Sequence, residues 1–456
     1  MKLTRKALLT GVALTPFLFP YSSFAATDSE RIETLEKQIE LLQREIKSLK
    51  TEQKQAVAPA AASPVSAPAS KASKAETKAE AVSVTLDPLP TFKSADGDFS
   101  FAFSGGIQAD AGWFNDDNAD YSNGTTLRRA RIGFKGTAYH DWDYAFQVET
   151  AHNELQLLDS YIRYKGFENV AITAGQHKEA ISLEQLSGSF DLTFAESASL
   201  TAFTPERHIG VSTSTWGDQW SLHAGVFGEG AGDVRADDEG SSVTTRATYA
   251  PINEKDGLTL HVGAAGSYRT PDNETDSVRY RYRPMSRLAD SNAVDTGTIN
   301  DVDDVTLGAL EFAGQYKNAY VQSEFLNTHV ERSGVAGGGG ADLSAWYVQA
   351  SYVLTGESRS YSVSKGLFSP IKPKSPFSRE NGTWGAWEVS VRYGGLDLND
   401  AFIQGGKMDS TALALNWYAL EHLRFLASYE YVDTDATSVV PNDNPSIITL
   451  RAQFDF

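Results

Sequence analysis

From about Pro90 to the last residue, apolar and polar side chains alternate with a period of two. Trp142, Tyr144, Phe146 and Val148 share one face, with Asp143, Gln147 and Glu149 between them. Trp346, Val348, Ala350, Tyr352 and Leu354 alternate around Gln349 and Ser351, and Trp387, Val389, Val391 and Tyr393 around Glu388, Ser390 and Arg392. Such a period sends successive side chains to opposite faces of a strand. The pattern predicts sixteen strands, near 98–114, 126–136, 141–151, 156–166, 169–176, 206–216, 219–228, 241–251, 257–269, 305–317, 318–329, 343–355, 384–394, 408–419, 422–433 and 446–456. Bacterial single-chain barrels need an even number. The polar faces carry full charges. A membrane barrel accounts for this: it buries its apolar face in lipid, closes every backbone hydrogen bond and lines water with the other face. Sixteen strands leave an aqueous channel. The fold expected is therefore all-β, a sixteen-stranded antiparallel transmembrane barrel over residues 90–456.

The connections fit that topology. Those at 137–140, 167–168, 217–218, 252–256 and 420–421 are short, and those at 115–125, 177–205, 229–240, 270–304, 330–342, 395–407 and 434–445 mostly longer. With both barrel ends on the periplasmic side, the short set is periplasmic and the long set faces outward. One periplasmic connection, 356–383, is too long for this rule, and a long loop in a compact domain is usually functional.

The N-terminal quarter follows different patterns. Lys2, Arg5 and Lys6 precede an apolar stretch from Ala7 to Phe19, and Ser23-Phe24-Ala25 is a small-x-small cleavage pattern. Residues 1–25 read as a secretory signal peptide; Pro16 and Pro20 interrupt a run already too short for a retained anchor. Ile32, Leu35, Ile39, Leu42, Ile46 and Leu49 then recur at spacings of three and four, which predicts a short coiled-coil helix within 26–50 that needs a partner copy. Residues 51–89 form a linker, rich in Ala, Pro, Ser and Lys over 51 to about 83, that cannot fold on its own. Its Lys71, Lys74 and Lys78 suit either solvation, the favoured reading, or contact with an anionic cell-wall polymer such as peptidoglycan.

Composition narrows the class. The chain has 456 residues, 41% hydrophobic and 22% charged, with Gly 37, Phe 23, Tyr 19 and Trp 8 against Met 3. That is an aromatic- and glycine-rich β composition. A mean hydropathy of -0.33 excludes a bundle of membrane helices, each of which needs about 20 consecutive apolar residues. It does not exclude strands that spread their apolarity in alternation. The net charge of -19 argues against nucleic acid as a partner. The absence of Cys removes disulfides, thiolate metal sites and Cys nucleophiles together.

The candidate chemistry is cationic. Loop 270–304 carries Arg279, Arg281, Arg283 and Arg287 in the run Arg-Tyr-Arg-Tyr-Arg-Pro-Met-Ser-Arg. In extended chain, residues two apart share a side about 6.6 Å apart, so three guanidinium groups form a row with a fourth below. That spacing is shorter than the Debye length of about 8 Å, so an anion can pass between overlapping sites. Alternatively, Asp290, Asp295, Asp301, Asp303 and Asp304 of the same stretch neutralise the row as a solvated loop. Loop 177–205 can fold inward and place Lys178 at a throat. Arg129, Arg131 and Lys135 share the inward parity of their strand, while Ala130, Ile132 and Phe134 face lipid. No nucleophile elbow, H-E-x-x-H or glycine-rich phosphate loop appears, and Asp301-Val302-Asp303-Asp304 lacks the glycine and distal glutamate of a calcium loop. No enzyme, metal or cofactor is expected.

Ile448, Leu450, Ala452, Phe454 and Phe456 alternate with Thr449, Arg451, Gln453 and Asp455, a segment that resembles the closing strand of bacterial outer-membrane proteins. The resemblance implies recognition of the terminal aromatic residue by the barrel-insertion machinery. A wider resemblance rests on Leu-Arg-Arg-Ala-Arg-Ile-Gly-Phe-Lys-Gly (127–136), Ala-Gly-Gln-His-Lys-Glu-Ala-Ile-Ser-Leu-Glu (174–184), Tyr-Val-Leu-Thr-Gly-Glu (352–357), Gly-Ala-Trp-Glu-Val-Ser-Val-Arg-Tyr (385–393), Leu-Asp-Leu-Asn-Asp (396–400) and Leu-Asn-Trp-Tyr (415–418). From about Ser94 to Phe456 the chain resembles the phosphate-selective porins O and P. That implies a homotrimer of barrels in the outer membrane, loops folded in from the outside, one long turn folded in from the periplasm, and passage of phosphate, polyphosphate or chloride. The family's arginine ladder falls on Arg279, Arg281, Arg283 and Arg287, and its throat lysine on Lys178. The chain departs from the family pattern at His177 and Ala180, and at Ser197, where an arginine often follows glutamate. Two other functions stay open: a general, weakly selective porin, and a tether from outer membrane to cell wall through the N-terminal coil.

Overall fold

The computed structural model describes residues 82–456 apart from 87, 116–120, 233–238, 255–256, 272–275, 284–286, 290, 333–338 and 436–443. The expected signal peptide, coil and most of the linker lie outside the described residues. The last part of the linker differs from expectation. Val82–Leu86 is a strand paired antiparallel with Pro90–Ser94, which pairs through Thr91–Lys93 with Ser100–Ala102.

Sixteen further strands form the barrel. They are β1 Ser100–Asn115, β2 Gly124–Ala138, β3 Trp142–Glu149, β4 Gln156–Phe167, β5 Val170–Lys178, β6 Arg207–Trp216, β7 Trp220–Phe227 and β8 Ser241–Asn253. Then follow β9 Leu258–Thr270, β10 Asp304–Tyr316, β11 Ala319–Glu331, β12 Ala341–Val353, β13 Ala386–Asp400, β14 Ile403–Leu420, β15 Leu423–Thr434 and β16 Ser446–Asp455. Each pairs antiparallel with its neighbour, and β16 pairs with β1 from Ser446↔Asn115 to Asp455↔Gly106. The sheet is closed. At the seam Phe456 exchanges backbone hydrogen bonds with Gly105 at 2.9 and 3.0 Å. Gly105 has φ of +149°, and an added Cβ would lie 2.2 Å from the Arg131 carbonyl oxygen. Only glycine lets the strands approach there.

Every predicted strand matches an observed one. The outward loop expected at 395–407 is corrected: β13 and β14 continue to Asp400 and from Ile403, leaving a turn of Ala401 and Phe402. The apolar face points out. Ile132, Val226, Val243, Leu310 and Leu413 are all more than half exposed, as residues facing lipid must be in an isolated chain. Trp142, Trp220, Tyr249, Tyr316 and Tyr352 lie beside the short turns, where an aromatic girdle meets the membrane interface.

Two connections occupy the interior. Residues 179–206, between β5 and β6, carry a short helix, Leu183–Leu186, and a 3-10 turn, Ser199–Ala202. Backbone N–H groups of Leu183 and Glu184 donate to the Glu324 carboxylate of β11 at 2.8 and 2.9 Å. From the short-turn end, 354–385 folds in as well: Phe368 packs edge-on against Tyr320 at 5.0 Å, and Leu367 and Phe368 reach the cluster holding Leu183. The long periplasmic connection is thus an inward segment.

Candidate functional site

The loop between β9 and β10 folds back on itself. Arg281 and Tyr282 pair with Asp295 and Val294, and Val278 bridges Ile299. Its apolar residues enter a core with Leu343, Leu396, Leu398, Met408 and Val432 on the inner wall. Alternation then sorts the arginine-tyrosine run. Tyr280 is buried, edge-on against Phe203 at 5.2 Å, and the Tyr282 hydroxyl donates to the Ser197 carbonyl at 2.7 Å. Arg279, Arg281 and Arg283 point the other way, into a cavity of about 1140 Å³ that Arg287 also lines.

The opposite side of that cavity is barrel wall and inward loop. Arg128, Arg129 and Arg131 of β2, Lys178 of β5 and Arg207 of β6 line it. Arg279, Arg281, Arg283, Arg287, Lys178, Arg129 and Arg131 therefore face one space, whereas Lys135, given the same inward parity, is not part of its lining. Nine Arg and Lys side chains line it, against Glu149, Glu154, Glu184, Glu196 and Glu206. A chain with net charge -19 has built a cationic chamber inside itself.

Neutralisation is uneven. Arg131 pairs with Glu149 at 2.8 Å, and Arg207 grips Asp159 at 2.8 and 3.3 Å. Arg279 meets Asp295 through two bonds of 2.8 and 2.6 Å. Burial works against ionisation of Asp295, but Arg279 and the Gly297 N–H hold its carboxyl below the ordinary range. Arg281, Arg283 and Arg287 have no carboxylate within ion-pair distance among the described residues. Of the loop acids expected to neutralise them, Asp295 goes to Arg279 and Asp301 lies 3.6 Å from Arg332, while Asp290 lies outside the described residues. Burial, then the positive neighbours Arg128 and Arg283, disfavour the charged form of Arg287. A bound anion would relieve that repulsion. Lys178 lines the cavity, but its ammonium donates to the carbonyls of Gln185 and Ser187, so part of its donor capacity fixes the inward loop. His177 is bonded to the Gly175 carbonyl and the Ser212 hydroxyl, with no part in the cavity lining.

Sequence reasoning missed Arg128. Strict alternation aims it at lipid. The register slips between Gln108↔Arg129 and Ala109↔Leu127, leaving Arg128 as the extra residue of a β-bulge. The bulge turns two successive arginines inward. The available signal was the arginine itself, because a lipid-facing arginine costs about 2–4 kcal/mol at the bilayer midplane. The partner of these arginines, Glu196, was also missed, since no local pattern ties residue 196 to residue 128.

A closed sixteen-stranded barrel with an apolar outer face, charged inner face and loops folded into its lumen defines an outer-membrane channel protein, a porin. The family model for the phosphate-selective porins O and P matches residues 101–456. The chain belongs to that family. Porin O of Pseudomonas aeruginosa is 29% identical over 406 residues, covering 80% of this chain and 90% of that one. An uncharacterised protein of Caulobacter vibrioides is 32% identical over 403 residues, covering 82% of this chain and 77% of it. The anion-selective porin from Comamonas acidovorans shares the fold, with a TM-score of 0.51, 12% identity, and cover of 78% of this chain and 100% of that chain.

Proposed function

We propose that this porin conducts small anions passively, phosphate and polyphosphate among them, along Arg279, Arg281, Arg283 and Arg287 and past Lys178, Arg129 and Arg131. The observation that carries this reading is that three of the four loop arginines line the cavity without a carboxylate partner among the described residues. Guanidinium keeps its proton and meets phosphate in two-point fashion. Several modest sites in series favour conduction over trapping. In a KCl gradient across a planar bilayer, the reversal potential should report chloride over potassium. Arg281→Ala should weaken the block of chloride current by inorganic phosphate. Cation preference in the intact channel would sink the reading.

The general-porin reading keeps one supporting observation, the five glutamates in the same lining; under it, millimolar phosphate leaves the chloride current unchanged. We further infer a homotrimer, as family membership suggests. The proposed cell-wall tether predicts that deleting residues 26–83 detaches membrane from wall and leaves conductance unaltered.

A further inference from the structure

Glu196 sits where the wall arginines meet the loop arginines. Arg128 donates to both of its carboxylate oxygens, at 2.5 and 2.7 Å. Arg451 of β16 donates to one at 3.1 Å, and Arg129 to the other at 3.5 Å. The carboxylate is delivered by a fixed backbone. Arg451 also holds the Ala195 carbonyl at 2.5 Å, while Arg392 holds the Glu196 carbonyl at 3.2 Å and Glu184 at 2.7 Å. Three guanidinium groups converging on two oxygens is the way arginines hold a phosphate, here with the protein's own side chain as the anion. Burial opposes the charge on Glu196, yet Arg128 and Arg129 keep its carboxyl well below the usual range. The side chain is anionic throughout the neutral range.

We propose that Arg128, Arg129 and Arg451 form a latent site for a tetrahedral oxyanion at the foot of the arginine row, and that Glu196 is a tethered competitor that keeps it filled. The inference rests on the reading of this cavity as an anion path. Three considerations support it. Among the described residues the three guanidinium groups meet two carboxylates, Glu196 and Asp110, the latter gripped by Arg451 at 2.7 Å twice; one positive charge is left over. Arg129 Nε is buried without a hydrogen-bond partner among the described residues, so two carboxylate oxygens do not saturate the donors that the further oxygens of phosphate would meet. Finally, an open cradle of three arginines would trap a dianion, whereas conduction needs sites that release. A tethered group acts at an effective concentration of about a millimolar or more, so phosphate binds here only transiently, by displacing Glu196.

The test uses the full-length protein in planar bilayers, with inorganic phosphate titrated against chloride current. Glu196→Gln keeps the size of the side chain and removes its charge. Its half-blocking phosphate concentration should fall by roughly tenfold or more. Phosphate should also raise the unfolding temperature of the Gln variant at concentrations that leave the unsubstituted protein unchanged. Unchanged or weaker block in a folded Gln variant would overturn the proposal. If Glu196→Gln fails to fold in chloride, refolding in phosphate at equal ionic strength decides: recovery supports the latent site, and equal failure overturns it. Cation preference in the unsubstituted channel sinks the anion path itself. Anion preference with block unmoved by Glu196→Gln sinks only the competitor.

Discussion

The barrel wall and the loop folded into it both carry arginines, and the two sets differ in what surrounds them. On the wall and the inward turn, Arg246, Arg359, Arg392 and Arg451 are almost fully buried, each beside a carboxylate: Glu311 at 2.8 Å, Glu388 at 2.5 Å, Glu184 at 2.7 Å and Asp110 at 2.7 Å. Each also fastens an inward segment. Arg246 bonds the carbonyls of Lys365 and Gly366, Arg359 reaches Thr193, and Arg392 and Arg451 hold Glu196 and Ala195. The loop arginines instead face open space, and among the described residues only Arg279 has an acid against it. The same residue type thus anchors where charge is matched and desolvated, and is available to a mobile ion where charge is left unmatched and wet. Family membership does not distinguish the two uses; the pairing does.

The largest expected effect breaks the anchoring side. Arg392→Met leaves Glu184 buried with its charge unmatched, and removes the contacts of the guanidinium over Phe194 at 4.3 Å and Tyr347 at 5.3 Å. Breaking one partner of a buried pair costs about 3–5 kcal/mol. The midpoint for loss of the folded, heat-modifiable band in urea should drop accordingly, while the channel that remains still prefers chloride. Arg281→Ala should do the reverse. Its unfolding midpoint should stay within about 0.5 kcal/mol, and its anion preference should fall about fivefold, since one charge at contact in a water-like dielectric is worth about 1 kcal/mol. If both variants moved stability alike, the division into anchors and ion sites would fail.

All sixteen barrel strands were legible because a lipid-facing strand must alternate, and alternation is a local property. The loop row was legible for the same reason: Tyr280 and Tyr282 needed burial, so Arg279, Arg281 and Arg283 were sent together the other way. Pairing was not legible. Nothing local tells Asp295 to meet Arg279 while Asp301 lies against Arg332, because those choices depend on how the loop docks on β10 to β15. Arg128 was hidden by the bulge, which shifts parity by one residue, and Glu196 by a sequence separation of 68 residues. The loop expected at 395–407, where Gly394, Gly395, Gly405 and Gly406 interrupt the alternation, is mostly strand.

The smallest expected effect unpairs Arg279, the loop arginine that has an acid against it. Asp295 accepts two bonds from Arg279, one from Asn292 at 2.7 Å and one from the Gly297 N–H at 2.9 Å. Asp295→Asn keeps a carbonyl oxygen for Gly297 and for Arg279 Nε but turns an amide toward Arg279 Nη2, which loses its bond and its counter-charge. The Arg279 side chain is 41% exposed while Asp295 is buried, so the exchange costs the loop some stability, but its backbone pairing and apolar core stay in place and the loop should hold its fold. The gain is one unmatched positive charge at the head of the row. Solvent screens it, so the chloride-to-potassium permeability ratio should rise by only about twofold at physiological salt, where the Debye length is about 8 Å. In about 0.01 M salt that length is near 30 Å, and the rise should be larger. A ratio indifferent to Asp295→Asn at low salt would mean that Arg279 stands outside the ion path. Selectivity would then rest on Arg281, Arg283 and Arg287 and on the wall, where Arg128, Arg129 and Arg131 already face Glu196 and Glu149.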